Sequence, residues 1–177
     1  MIVARDPQSP PFGLQGCVVA IGNFDGVHRG HAAVLHRAKT LAEKLGQTCA
    51  ALTFEPHPVD FFAGPGTVFR LTPEAEKVRG LARQGLDGTI IISFDGNVAT
   101  MEAEAFVQDI LIKRLGISGA VVGYDFHFGK ARSGSPSFLK EAGARHGFAV
   151  EVVEKVVADV DGASEAVHST AARKALE

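Results

Sequence analysis

Short apolar runs and longer stretches with helical spacing alternate along this chain. Cys17 to Gly22 is a continuous apolar run that predicts a strand. In His31 to Leu45, Val34, Leu35, Ala38, Leu41, Ala42 and Leu45 recur every three or four residues and predict a helix. Gly46 follows where a helix often ends in a left-handed residue, and Thr48 to Phe54 predicts the second strand. Thr72 and Pro73 read as an N-cap and first helical position, opening a helix that fades near Gly85. Thr89 to Phe94, rich in β-branched isoleucine, predicts a third strand. Glu102 to Leu115 carries Phe106, Ile110, Leu111 and Leu115 on one face, with Lys113 and Arg114 in the last turn, and predicts a helix. Ala120 to Gly123 predicts a fourth strand, Ser135 and Pro136 open a helix ending before Gly147, and Phe148 to Val157 predicts a fifth strand. A last short helix is expected from near Ser169, and Met1 to Gln15 reads as a proline-rich, loosely ordered lead-in.

This alternation predicts an α/β fold with a mostly parallel, roughly five-stranded sheet, right-handed crossovers and helices on both faces. Ligands in such folds sit beyond the C-terminal strand ends, at the point where the strand order reverses. The segments to inspect are therefore Asn23 to Gly30, Glu55 to Leu71, Asp95 to Met101, Tyr124 to Ser135 and Ala158 to His168. A length of 177 residues, 46% of them hydrophobic, suits one core and one domain. The 18 Lys and Arg nearly balance 20 Asp and Glu, which argues against a nucleic-acid partner, since backbone binding requires a clustered positive excess. Ile90 to Ile92 and similar runs fall far short of the roughly 20 residues that cross a bilayer. No secretory signal opens the chain, so a soluble, cytoplasmic protein without membrane partners is expected. Cys17 and Cys49 lie in apolar runs and read as buried thiols in a reducing compartment.

The richest segment is Asn23-Phe24-Asp25-Gly26-Val27-His28-Arg29-Gly30-His31, between a strand and a helix. Gly22, Gly26 and Gly30 let the backbone turn tightly and approach a ligand. Amides at the start of the helix attract an anion, and His28 and His31, three apart, can donate to phosphate oxygens from one side. Zinc needs three or four ligands, and the zinc protease motif spaces its histidines by four beside a glutamate; neither condition is met here. Gly123 to Ala131 has one residue too many for a P-loop and lacks the hydroxyl. A dinucleotide fingerprint and a Gly-x-Ser-x-Gly elbow are also missing.

The segment Gly22-Asn23-Phe24-Asp25-Gly26-Val27-His28-Arg29-Gly30-His31 resembles the signature of the bacterial FAD synthetase domain, the N-terminal part of bifunctional riboflavin kinase/FMN adenylyltransferase. Further matches follow in the family's order: Phe54-Glu55-Pro56-His57-Pro58, Arg70-Leu71-Thr72, Glu76-Lys77, the run from Gly123 through Asp125, Phe126, Phe128, Gly129 and Arg132 to Gly134, and Ser169-Thr170 with Arg173. The resemblance implies a Rossmann-like nucleotidyltransferase fold and the reaction of ATP with FMN to give FAD and diphosphate. It implies that His28 and His31 attend the α-phosphate and that Ser169, Thr170 and Arg173 hold the β- and γ-phosphates. Gly22, Asn23, Phe24, Asp25, Gly30, Asp125 and Arg132 then bind ATP, while Pro58, Phe62 and Phe128 contact FMN, whose flat ring suits aromatic and proline walls. Magnesium is expected with ATP, with few protein ligands, none of them assigned. His168 departs from the family's usual serine before Ser169-Thr170.

Rival readings are another small nucleotidyltransferase, acting on CTP or on a different vitamin phosphate, and a non-catalytic nucleotide or flavin sensor. The family's riboflavin kinase domain, a β-barrel, would follow Glu177, so residues 1–177 are expected to adenylate supplied FMN without phosphorylating riboflavin. The chain then reads either as a domain separated from a longer parent or as a single-function relative.

Overall fold

A computed structural model describes residues 1–26, 29–64, 73–155, 157–160 and 163–166. Alternation of side chains along each strand generates two cores. In β2 (Val18–Ile21), Val18 and Ala20 face α1 (Arg29–Leu45), packing with Val34, Leu35, Ala38 and Leu41 and with Leu81 of α3 (Glu74–Arg83). Val19 and Ile21 face the other way, toward Ile110, Leu111 and Leu139. The strands β3 (Cys49–Glu55) and β5 (Gly119–Gly123) are divided in the same way, and β4 (Gly88–Ser93) adds Ile90 and Ile92 to the second core, so helices cover both sides of the sheet.

With β1 (Ile2–Arg5) and β6 (Ala149–Val153), six parallel strands run in the order β1-β4-β3-β2-β5-β6. The strand order therefore reverses between β2 and β5. Beyond β6, β7 (Val157–Val160) and β8 (Ala163–Ala166) form a separate antiparallel pair. This six-stranded sheet with helices on both faces is the α/β nucleotidyltransferase-like architecture expected.

The lead-in is where the expectation fails. Met1 to Gln15 is not loose: β1 pairs with β4, Ile2 opposite Gly88, and the Asp6 carboxylate accepts from the Ser93 amide (2.8 Å) and hydroxyl (2.5 Å). Leu14 is fully buried against Gly88, where an added Cβ would come within 2.6 Å of it. Four residues with an exposed outer edge carry too little apolar alternation to stand out as a strand. The sixth strand is thus an edge built by backbone pairing.

Other boundaries shift for local reasons. Glu102 to Leu115 begins as α5 (Ala103–Ala105) but continues from Phe106 to Arg114 as a π-wound segment. Its buried residues Phe106, Val107, Ile110, Leu111 and Leu115 advance by four to five, and the Leu115 amide reaches the Ile110 carbonyl five residues back (3.1 Å). The fifth predicted strand divides into β6 and β7. Pro73 caps α3 rather than starting it, and Thr72 lies outside the described residues, as does the helix expected near Ser169. The long connection after β3 holds a short helix, α2 (Pro58–Ala63), capped by the His57 ring. After β4, α4 (Gly96–Ala99) is capped by the Asp95 carboxylate, which accepts from the Val98 amide. α6 (Pro136–His146) starts at Ser135 and ends at the left-handed Gly147, as expected.

Glu104 ties α5 to the end of α6, accepting from Arg145 (2.8 Å) and from His146 (2.7 Å). The bonds from Arg145 and then His146 hold its carboxyl down, from 4.5 to about 2. A lowered folded-state value means that this tie stabilises the fold above about pH 4.5 and is lost as pH falls toward 2. Glu104→Gln is expected to melt below the parent at pH 6, the gap closing between pH 4.5 and 2 in a calorimetric pH series. A gap constant over that range would show that the carboxylate contributes nothing.

Candidate active site

At the switch point, β2 and β5 end side by side in Gly22 and Gly123. After Gly22 the chain must reverse into α1. Phe24 takes a left-handed conformation (φ +50°), and Gly26 does the same (φ +61°). Non-glycine residues rarely adopt this region, so the turn at Phe24 is held by its surroundings. Phe24 is 1% exposed, and a Cβ on Gly22 would meet its ring at 3.2 Å, which explains the glycine there. The same ring meets the His31 imidazole edge-on, with centroids 5.3 Å apart. The turn thus holds His31 on the first turn of α1. That turn contains no acidic residue to neutralise the positive end of the helix dipole. Asp25 is buried in the turn, and Gly30 is the second residue of α1. His28 lies outside the described residues.

From β5 the chain enters the segment from Tyr124 to Ser135. The Asp125 carboxylate lies over Gly123, within 3.3 Å of where a Cβ would stand, on the rim next to the Gly22 turn. Phe128 and Gly134 close the loop by exchanging backbone hydrogen bonds (3.1 and 2.7 Å). Ala131 and Arg132, both left-handed, project from its tip, with the exposed Arg132 guanidinium 3.4 Å from His127 Nδ1. Phe128 is 8% exposed and packs among Phe106, Phe126 and Phe138. Most of its ring is therefore in the core.

Across the rim, β3 and β4 end beneath an aromatic patch. Phe61 and Phe62 of α2 meet Phe94 edge-to-face, with centroids 5.5 and 5.9 Å apart, and Phe94 rests on Phe54 at 6.2 Å. Phe62 stays 70% exposed, and Pro58 starts its helix. β3 and β5 flank β2, two strand spacings or about 10 Å apart. Aromatic faces and the anion-attracting turn therefore share one edge of the sheet. Ser169, Thr170 and Arg173 lie outside the described residues.

Two features were given no role from the sequence, although Lys77 stands in the Glu76-Lys77 match. Phe94 closes the aromatic patch from the end of β4. Lys77 is buried on α3, its ammonium bonded to Glu55 (2.6 Å), the Asn23 carbonyl (2.9 Å) and the Thr53 hydroxyl (3.2 Å). The available signal was spacing: Lys77 lies one turn before Leu81, on the inward stripe of its helix.

Neither cysteine supplies chemistry. Both are buried free thiols, and burial pushes each up to about 12, well away from a reactive thiolate. Among the described residues no cluster of three or more His, Cys, Asp or Glu is arranged for a metal, and no helix is long and apolar enough to cross a membrane. The rim thus carries a helix start without acidic residues and a patch of aromatic rings.

Comparison with known proteins agrees with this architecture. A crystal structure described as a macrolide-efflux protein from Streptococcus pneumoniae shares the fold with a TM-score of 0.82 at 24% identity, covering 99% of this chain and 57% of that one. Bifunctional riboflavin kinase/FMN adenylyltransferases are similar in sequence. That of Pseudomonas fluorescens is 41% identical over 170 residues and that of Escherichia coli K12 38% over 162, each match covering 92% of this chain and 50% of the relative. The Haemophilus influenzae protein is 36% identical over 163 residues, 92% of this chain and 52% of its own. The chain spans about half the length of these relatives. The model of the FAD synthetase family matches residues 12–171, from the Leu14 anchor through both halves of the rim. With nearly the whole chain matched in this way, the protein belongs to the FAD synthetase family.

Proposed function

We propose that this chain is an FMN adenylyltransferase, converting ATP and FMN into FAD and diphosphate. The observation that carries this reading is the placement of the turn after Gly22 and the Phe61–Phe62–Phe94 patch on one rim, beside the switch point. A phosphate oxygen of FMN attacks the α-phosphorus of ATP, a new P–O bond forms, and the bond to the departing diphosphate breaks. The attacking phosphate is already anionic near neutral pH, so the protein needs to align and neutralise rather than to remove a proton.

His31 and the amides of the first turn of α1 suit the α-phosphate, and His28 takes the matching role from the sequence. Asn23, Phe24, Asp25 and Gly30 shape that turn. Asp125 and Arg132 flank the nucleotide from the β5 loop, while Pro58 and Phe62 form the flavin wall with the edge of Phe128. Ser169, Thr170 and Arg173 take the β- and γ-phosphates in this scheme. Magnesium bound with ATP would supply further charge neutralisation, and the carboxylates of Asp25 and Asp125 would be the hard oxygen donors to hold it. The two buried thiols fit a cytoplasmic setting. The names of the matched relatives favour this reading over a cytidylyltransferase or a non-catalytic sensor.

Incubation with ATP, magnesium and FMN, followed by chromatography of the flavins, should yield FAD with one equivalent of diphosphate. No FAD alongside turnover of another phosphate ester would defeat the assignment, as would nucleotide binding without diphosphate release. Phe62→Ala removes an exposed stacking wall and should weaken FMN binding more than ATP binding in calorimetric titrations. Equal losses for both would remove Phe62 from the flavin site.

A further inference from the structure

The Lys77 ammonium donates to the Thr53 hydroxyl and the Asn23 carbonyl and forms an ion pair with the Glu55 carboxylate. Burying a charge is costly, and packing alone would be served better by an apolar side chain at this position. Glu55 compensates the charge, with side-chain exposures of 6% for Lys77 and 11% for Glu55. What the ammonium adds is a grip on the backbone of another segment. The Asn23 carbonyl accepts from Lys77 and also from the Thr53 hydroxyl (3.1 Å), so two side chains from different elements hold one peptide group. That peptide lies immediately before Phe24, the left-handed residue whose ring meets His31.

We propose that Lys77 is a positioning residue for the nucleotide turn: with Thr53 it pins the Asn23 carbonyl and so fixes where the start of α1 meets the phosphates. The effect on catalysis rests on the function proposed above, whereas the pinning of the turn does not. Lys77 acts from behind the turn, through backbone, and touches neither ATP nor FMN. Glu55 keeps the ammonium in place and neutral overall, so that the charge does not compete with the site for the triphosphate.

The test uses the whole chain and a charge-neutral pair, Lys77→Met with Glu55→Gln, because removing the lysine alone strands a buried carboxylate. Leu81→Ala, on the same helix, serves as a control that loses stability without touching Asn23. The pair should raise the KM for ATP about tenfold, the worth of a charge-assisted hydrogen bond, and leave the KM for FMN within about twofold. Amide exchange over Gly22 to Gly26 should quicken at least about tenfold relative to Leu81→Ala, which should keep the parent's KM for ATP. Thr53→Val preserves side-chain volume and should shift ATP KM and exchange the same way by a smaller factor. It decides the matter if the paired variant does not fold. Parent-like exchange and ATP KM in the pair, or in Thr53→Val in its place, would overturn the proposal. So would equal changes in Leu81→Ala. A parent chain that forms no FAD would defeat the proposed function, while the exchange measurement would still report on the anchor.

Discussion

Replacing His31 with alanine is expected to cut the rate of FAD formation by about ten- to a thousand-fold, the range for losing one donor to developing charge in a transition state. The imidazole stands on the first turn of α1, where the backbone amides already favour an anion, and the Phe24 ring holds it edge-on at 5.3 Å. Its loss takes away a donor aimed by the fold, and the helix itself remains because its inward stripe of Val34, Leu35, Ala38 and Leu41 is untouched. Single-turnover measurement of FAD, with circular dichroism before and after heating, separates the two effects. His28→Ala carries the same expectation from the sequence. An unchanged rate in both variants would take these imidazoles out of the chemistry.

Phe24→Ala should cost about 3–5 kcal/mol of stability, as expected for a buried aromatic ring cut to a methyl group. The residue is 1% exposed, its ring packs on Gly22, and alanine would inherit the same left-handed backbone without the packing that holds it there. Urea denaturation reads that loss. A second loss should accompany it: with the ring gone, His31 has lost its edge-on neighbour and should donate less well, so the rate falls even where the variant is folded. Leu35→Ala empties the same core from α1, away from the turn. It should match much of the destabilisation while keeping the rate at temperatures below its melting point. Equal rates for Phe24→Ala and Leu35→Ala would show that the ring only fills space.

How far the sequence could be read depended on whether a feature left a periodic mark. Strands β2 to β5 and helices α1 and α6 did, because they bury apolar residues, while β6 stood out by its apolar run although its residues are only half-buried. β1 did not, since its pairing with β4 is made by backbone and its outer edge faces water. The π-wound segment kept the composition of a helix and hid its wider repeat, visible only once Leu115 bonds to Ile110. At the site, the glycine-bounded turn and its histidine were evident because glycine and histidine are unusual there. Lys77 stood in the Glu76-Lys77 match, but its burial was hidden, since a lysine on a helix is ordinarily solvated and its partners Asn23, Thr53 and Glu55 lie far away in the chain. The surroundings of Phe128 were equally hidden: the loop folds it back among Phe106, Phe126 and Phe138, none of them adjacent to it in the chain.

The pairing of β1 also matters for anyone wishing to attach something to this protein. Because β1 runs parallel to β4, with Ile2 level with Gly88, Met1 emerges at the pole of the sheet opposite the substrate rim. A fluorophore, affinity handle or surface tether joined ahead of Met1 should therefore leave the proposed ATP and flavin rim unobstructed.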